Sequence, residues 1–282
     1  MIKIDNLSFS YSKHPFIENM SFEVKSGEIF GFLGPSGAGK STLQKLMIGL
    51  ISNYEGSLKI DDIEVKNHKN NFYENIGVDF EFSTLYEKMT GQENLEFFAS
   101  LYKAKERSIY ELLESVELLN DADKKVSAYS KGMKSRLNFI KAIMHDPKYI
   151  FLDEPTNGLD PNTSQIIGEL ILKEKQKGKT IIITTHNMED ASQLCDRVAF
   201  IVKGKIKALD SPHNLIMEQG ASTIKYSYLE NGKELNSTSN LLNIKNDLSL
   251  IKIIKENRLL TIHSSEPNLG DIFKKVTGRE LV

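Results

Sequence analysis

Apolar and polar residues alternate from Met1 to about Phe9 and again from Met20 to Val24, which predicts two strands joined by a polar turn through Lys13-His14-Pro15. The wholly apolar run Ile29-Phe30-Gly31-Phe32-Leu33 has the pattern of a short buried strand. From Ser41 to Ile48 the apolar positions take helical spacing and stop at Gly49. Further strands are expected around Leu58 to Val65 and at Ile76 to Phe80. The character then turns helical, from about Leu85 to His145. Within that block, Gly91 to Tyr102 places Leu95, Phe98 and Leu101 on one face, and Ser108 to Leu119 repeats the spacing with Leu112, Leu113 and Val116.

After the helical block the strand-and-helix rhythm resumes. A strand is expected at Tyr149 to Leu152, a helix from Pro161 to Lys177 with proline in its first turn, a strand from Lys179 to Thr185 and a helix from Asn187 to Cys195. Arg197 to Val202 and Lys205 to Leu209 flank Lys203-Gly204 as a hairpin would. Strands alternating with crossover helices predict an α/β fold with a mixed, mostly parallel sheet covered on both faces. Beyond Gly220 the composition shifts to Asn, Ser and Lys. There Ile224, Tyr226 and Tyr228 alternate, a second strand is expected near Leu259 to Ile262, and a helix from about Leu269 to Val276. The expected organisation is a main domain over residues 1–220, carrying a helical insert at about 85–146, and a small C-terminal α+β appendix over 221–282.

The 282 residues, 40% of them apolar, suffice for a full core. A formal charge of −2 with no long basic run gives no general pull toward nucleic acid, and Lys66-Asn67-His68-Lys69 reads as a solvated loop. Cys195 is the sole cysteine, so an intrachain disulfide and a cysteine-based zinc cluster are both excluded, which suits a reducing cytosol. No apolar run reaches the length that spans a bilayer, and the alternating start of the chain differs from a secretion signal.

Gly34-Pro35-Ser36-Gly37-Ala38-Gly39-Lys40-Ser41 fits G-x-x-x-x-G-K-[ST] at every fixed position. Glycines let backbone N–H groups curl round phosphates, Lys40 reaches the β and γ oxygens, and the Ser41 hydroxyl is placed for Mg²⁺. With a strand before and a helix after, the pattern predicts a P-loop core that grips a nucleoside triphosphate, with Thr42 completing the nucleotide-binding set. A second constellation is Tyr149-Ile150-Phe151-Leu152-Asp153-Glu154, an apolar strand that ends in two carboxylates. Asp153 is expected to hold the Mg²⁺ hydration shell, and Glu154 to polarise the water that attacks the γ-phosphate.

With these motifs in order, the chain resembles the ATP-binding subunits of ABC transporters. Ser130-Lys131-Gly132-Met133 resembles the family's signature segment, with Tyr129 in place of the usual leucine, Lys131 in place of the first glycine and Met133 in place of the glutamine. Ser130 reads as the N-cap of the following helix, and Gly132 allows close approach to an anion. The resemblance implies a head-to-tail dimer, homo- or heteromeric, in which Ser130 and Gly132 reach the ATP held by the second subunit. It also implies that Asn157-Gly158-Leu159-Asp160 is the loop crossing the dimer interface, that His186 is the switch histidine at the γ-phosphate, and that Tyr11 stacks on adenine. Glu81 departs from the family's usual glutamine; it is expected to remain a sensor of Mg²⁺ with altered charge.

Leu269-Gly270-Asp271-Ile272-Phe273 followed by Thr277-Gly278-Arg279-Glu280-Leu281 resembles the closing segment of ATPases that drive drug, antibiotic, peptide and sodium export, and Leu85 to Gly91 followed by Glu93-Asn94-Leu95 resembles the same branch. The implied activity is ATP hydrolysis coupled to export through separate integral-membrane subunits, which dock near Glu81, Tyr86 and the helical insert. The implied location is the cytoplasmic face of the membrane, without nucleic-acid partners. The alternatives are a non-transport ATPase of the same class acting on nucleic acid or the ribosome, and a soluble P-loop kinase or binding module.

Overall fold

The computed structural model describes residues 1–81, 84–103, 107–219, 223–265 and 267–278. The described residues divide into two compact units, one over residues 1–209 and one over residues 210–278.

In the first unit, β1 (Ile2–Phe9) pairs antiparallel with β2 (Ile17–Val24) and with β4 (Glu55–Ile60), and β5 (Ile63–Glu64) extends the sheet to the order β2-β1-β4-β5. The turn from β4 to β5 runs through Asp61 and Asp62, both at positive φ (48° and 63°), as a tight two-residue hairpin requires. β2 begins at Ile17, three residues before the expected start, because Ile17 is fully buried and pairs with Phe9.

The larger sheet has the order β10-β9-β3-β8-β7-β6. Its members are β3 (Ile29–Leu33), β6 (Ile76–Asp79), β7 (Tyr149–Asp153), β8 (Thr180–Thr185), β9 (Arg197–Val202) and β10 (Lys205–Asp210). The β3–β8, β3–β9, β6–β7 and β7–β8 pairs are all parallel, and every residue of β3, β7 and β8 is buried, which is why the centres of these strands read as continuous apolar runs. The two sheets share one core: Phe22 of β2 stacks on Phe30 of β3 at 5.6 Å and meets Phe32 edge-on at 5.5 Å.

The connections are helical. α1 (Lys40–Met47) follows β3, α5 (Pro161–Gln176) joins β7 to β8, and α6 (Met188–Leu194) joins β8 to β9. Between β6 and β7 lie α2 (Gly91–Ala99), α3 (Ile109–Ser115) and α4 (Lys131–Ile143). α2 starts at Gly91, where its helical spacing begins, because Thr90 and Glu93 form a reciprocal capping box there. It ends at Ala99, so Leu101 leaves the apolar face on which it was expected and is 62% exposed. Leu112, Leu113 and Val116 are buried as the spacing predicts.

The second unit holds a three-stranded antiparallel sheet of order β12-β11-β13, formed by β11 (Thr223–Glu230), β12 (Lys233–Asn240) and β13 (Leu259–Ser265). Leu250 and Ile253 of α8 (Leu248–Lys255) pack against Ile224 and Tyr226 of β11. α7 (Pro212–Gln219) lies against α9 (Leu269–Thr277), which ends on Gly278 at φ 67°. The tail residues Arg279, Glu280 and Leu281 lie outside the described residues.

Candidate active site

The phosphate loop occupies the turn from β3 to α1. Gly37 and Gly39 adopt φ 73° and 109°, and Gly39 is the N-cap of α1. A glycine cap has no side chain to accept a hydrogen bond, so the first backbone N–H groups of α1 are left for an anion, where the helix dipole also favours negative charge. Lys40, 7% exposed, donates from Nζ to Gly34 O at 2.7 Å and Pro35 O at 3.3 Å. Burial lowers its ammonium pKa, against the opposing charges of Glu154, Asp153 and Glu81. A cavity of about 450 Å³ lies over this loop, lined by residues 36–42 together with Phe16, Glu81, Glu154, Asn157 and His186.

Two adjacent strand ends supply the acids and their supports. Asp153 closes β7 and is 9% exposed; its Oδ1 accepts from Ser41 Oγ at 3.2 Å and from Thr184 Oγ1. Glu154 follows with φ 52°, in the left-handed region that costs a side-chain-bearing residue free energy. Its backbone N–H is tied to Thr184 O at 2.9 Å. Glu154 Oε1 lies 3.8 Å from Lys40 Nζ, and Oε2 lies 2.9 Å from His186 Nδ1. Thus Lys40, Ser41, Asp153, Glu154 and His186, spread over 147 positions of sequence, are brought to one site, with Glu81 on the same cavity.

The other expected residues are placed as follows. Tyr11 is 61% exposed, meets Phe9 and Phe16 edge-on, and shares a 3.0 Å hydroxyl hydrogen bond with Thr42. Ser130 caps α4, accepting from Met133 N at 3.2 Å. Gly132 packs against Thr163 and Asp160, and Asp160 caps α5 with both oxygens on Thr163, at 3.0 Å from N and 2.7 Å from Oγ1. Neither Ser130, Gly132 nor Asp160 is among the described residues lining the phosphate-loop cavity.

Several participants were missed by sequence reasoning. Thr184 and Thr185 hold the two acids, and the only hint is that an apolar strand ends in two hydroxyl residues. Phe16 lines the cavity, and its closeness to Tyr11 around a proline turn is a usable hint. Beneath the site, Asn138 of α4 donates to the buried Asp79 of β6 and accepts from Lys141 Nζ at 2.7 Å, and Lys141 in turn donates to Thr84. Burial pushes the Asp79 carboxyl up and the Lys141 ammonium down.

The donor set fits a hard divalent cation. Ser41 and Asp153 offer oxygen ligands side by side, and no cluster of three or more His, Cys, Asp or Glu exists among the described residues to form an all-protein cage. Such an arrangement suits Mg²⁺ completed by phosphate and water.

A glycine loop between a parallel strand and a helix, with acids at the end of the strand next but one in the same sheet, defines a P-loop nucleoside triphosphatase. Residues 17–157 match the ABC transporter family, and the chain belongs to it. It is an ABC ATPase, the ATP-binding and ATP-hydrolysing subunit of a transporter. The chain is 44% identical to the fluoroquinolones export ATP-binding protein of Mycobacterium tuberculosis (strain ATCC 25618 / H37Rv), covering 100% of this chain and 94% of that protein. It is 35% identical to Nod factor export ATP-binding protein I of Sinorhizobium fredii (strain NBRC 101917 / NGR234), covering 99% and 87%. Among solved structures it resembles an ATP-binding cassette captured as a dimer in a post-hydrolysis state with ADP and Pi, with a TM-score of 0.66, 26% identity and coverage of 75% of this chain and 98% of that one. ATPases of this family work as dimers beside membrane subunits. No helix among the described residues is long and apolar enough to cross a membrane.

Proposed function

We propose that this ATPase binds Mg-ATP between two copies of itself, or one copy and a homologous subunit, and that closure and hydrolysis drive export through separate integral-membrane subunits. The observation that carries the reading is the convergence of Lys40, Glu154 and His186 on the phosphate-loop cavity, with Glu154 between the other two at 3.8 and 2.9 Å. The backbone from Gly34 to Gly39, with Lys40, Ser41 and Thr42, holds the phosphates, and Tyr11 takes the base. Ser41 and Asp153 hold Mg²⁺, with Glu81 sensing it; the cation neutralises charge on the phosphates. Glu154 orients the attacking water, and His186, its Nδ1 on Glu154, presents Nε2 to the γ-phosphate. Ser130 and Gly132 contribute from the second subunit, and Asp160 lies on the loop between the two sites.

Residues 1–220 form the ATP-binding domain in this reading, with the insert at about 85–146 receiving the membrane subunit near Glu81 and Tyr86, and residues 221–282 form an accessory domain. The protein is then peripheral on the cytoplasmic face. The relatives carry names for chemically unrelated cargoes, a fluoroquinolone and a Nod factor, on one ATPase frame, which supports a cargo chosen by the membrane subunit.

The test is Glu154→Gln. It is expected to bind Mg-ATP with near-native affinity, to lose turnover by roughly 100-fold or more, and to sediment as a dimer only with Mg-ATP. Hydrolysis at the native rate would remove Glu154 from its role, and a nucleotide-independent monomer would remove the sandwiched dimer.

A further inference from the structure

The closest side-chain contacts of Glu154 gather on Oε2, while Oε1 has Lys40 Nζ at 3.8 Å. The Thr185 hydroxyl lies 3.2 Å from Glu154 Oε2, and Thr185 is 2% exposed, so no bulk water competes for that contact. An ionised carboxylate only accepts hydrogen bonds, so the hydroxyl proton must point at Glu154. The hydroxyl oxygen in turn accepts from Asn187 N at 2.9 Å. Asn187 is fixed as the cap of α6, its side chain accepting from Glu189 N and Asp190 N at 3.0 and 3.2 Å. Thr185 is therefore pinned at both its backbone, in β8, and its oxygen, at the start of a helix.

Two more donors point at the same carboxylate oxygen. His186 N lies 3.4 Å and His186 Nδ1 2.9 Å from Oε2. Oε1, by contrast, faces Lys40 Nζ at 3.8 Å and the phosphate-loop cavity. The backbone at Glu154 is itself in the left-handed region, a conformation that persists only where surrounding contacts over-determine it. Thr184 O on the Glu154 N–H and Thr185 Oγ1 on its carboxylate supply those contacts from consecutive residues of one strand.

We propose that Thr185 is a positioning residue for ATP hydrolysis: its hydroxyl, with His186, occupies Oε2 of Glu154 and so leaves Oε1 as the oxygen that meets the attacking water. The proposal rests on the reading of Glu154 as the water-orienting acid. A hydroxyl that merely completes the α6 cap would affect stability alone, whereas a positioning hydroxyl affects the chemical step and spares nucleotide binding.

Thr185→Val keeps the shape and removes the hydroxyl; Thr185→Ser keeps the hydroxyl and removes a methyl group. Steady-state hydrolysis of Mg-ATP should show kcat lowered roughly 10- to 100-fold in Thr185→Val with KM changed less than about twofold, and kcat restored to within about threefold of native in Thr185→Ser. Native kcat in Thr185→Val, or equal losses in the Val and Ser variants, would overturn the proposal. If Thr185→Val does not accumulate as folded protein, Thr185→Ala against Thr185→Ser carries the same comparison with the same outcomes. Glu154→Gln run alongside separates the two ideas: native turnover there defeats the Glu154 reading, and a dead Glu154→Gln with an active Thr185→Val defeats only the role of Thr185.

Discussion

Arg107 grips Glu174 with two parallel hydrogen bonds, Nη1 to Oε1 and Nη2 to Oε2, both 2.7 Å long. The pair ties the helical insert, just before α3, to α5 on the nucleotide-binding core. The Glu174 side chain is only 3% exposed. Burial works to raise its carboxyl pKa, but Arg107 and Lys177 hold it below the ordinary value.

Removing Arg107 leaves Glu174 only its 2.9 Å contact to Lys177 Nζ. Arg107→Ala should cost about 1.5–3 kcal/mol of stability, since a buried carboxylate loses its bidentate partner and keeps one cation. Urea unfolding at pH 7 measures it, and the loss should shrink toward acid pH. Sign and direction follow from the depressed Glu174 pKa: the stabilisation is present above the unfolded carboxylate pKa and disappears as pH falls through the folded one.

His145 sets a second pH dependence. It is 1% exposed, its ring stacks on Tyr102 at 3.7 Å, and Nε2 lies 3.0 Å from Ile76 O. Burial lowers its pKa to about 4. The unfolded chain therefore takes up a proton near pH 6.5 that the folded chain refuses, and stability falls as pH drops from 6.5 toward 4. By that linkage the native protein should lose about 2 kcal/mol more than His145→Phe between pH 7 and pH 5, measured as the difference of two urea series.

Two loop glycines should respond to very different extents. A Cβ at Gly34 would collide with Ile201 O of β9, a backbone atom that cannot step aside, whereas Gly37 faces open space and has only its φ of 73° to satisfy. Gly34→Ala should unfold or lose several degrees of Tm, while Gly37→Ala should cost only about 1 kcal/mol for its left-handed backbone. Thermal denaturation of the two variants decides it.

Glu81 faces both the phosphate-loop cavity and a second cavity of about 420 Å³ that reaches Lys131 and Asn138 of α4. In membranes carrying the cognate subunits, Glu81→Gln and Glu81→Ala should both lower transport per ATP hydrolysed. Unchanged coupling in both variants would take Glu81 out of the mechanism.

The elements around the site were legible because burial on both faces leaves a simple trace: β3 is apolar throughout, β7 and β8 carry apolar runs through their centres, and the loop after β3 needs glycine where φ is positive. β12 left no such trace. Its sequence Lys-Glu-Leu-Asn-Ser-Thr-Ser-Asn is mostly exposed, and it is a strand only because all eight residues pair with β11. α7 has a proline start and few apolar positions, so its periodicity is too short to read, while α8 escaped although Asp247 caps it and Leu250 and Ile253 are buried. In the site, the acids and the lysine followed from chemistry, but the support from Thr184 and Thr185 depends on how β7 and β8 align, with Asp153 opposite Thr184, and such cross-strand neighbours are invisible in a linear pattern.

The uncapped beginning of α1 couples the substrate to the integrity of the fold. Because Gly39 gives the helix no side-chain acceptor, the triphosphate serves as the missing terminus, and every occupied molecule gains what an ordinary helix draws from serine or aspartate. Nucleotide at a hundred times its dissociation constant should then add about 2.7 kcal/mol to unfolding resistance, so the loaded protein should outlast the empty one under heat and protease.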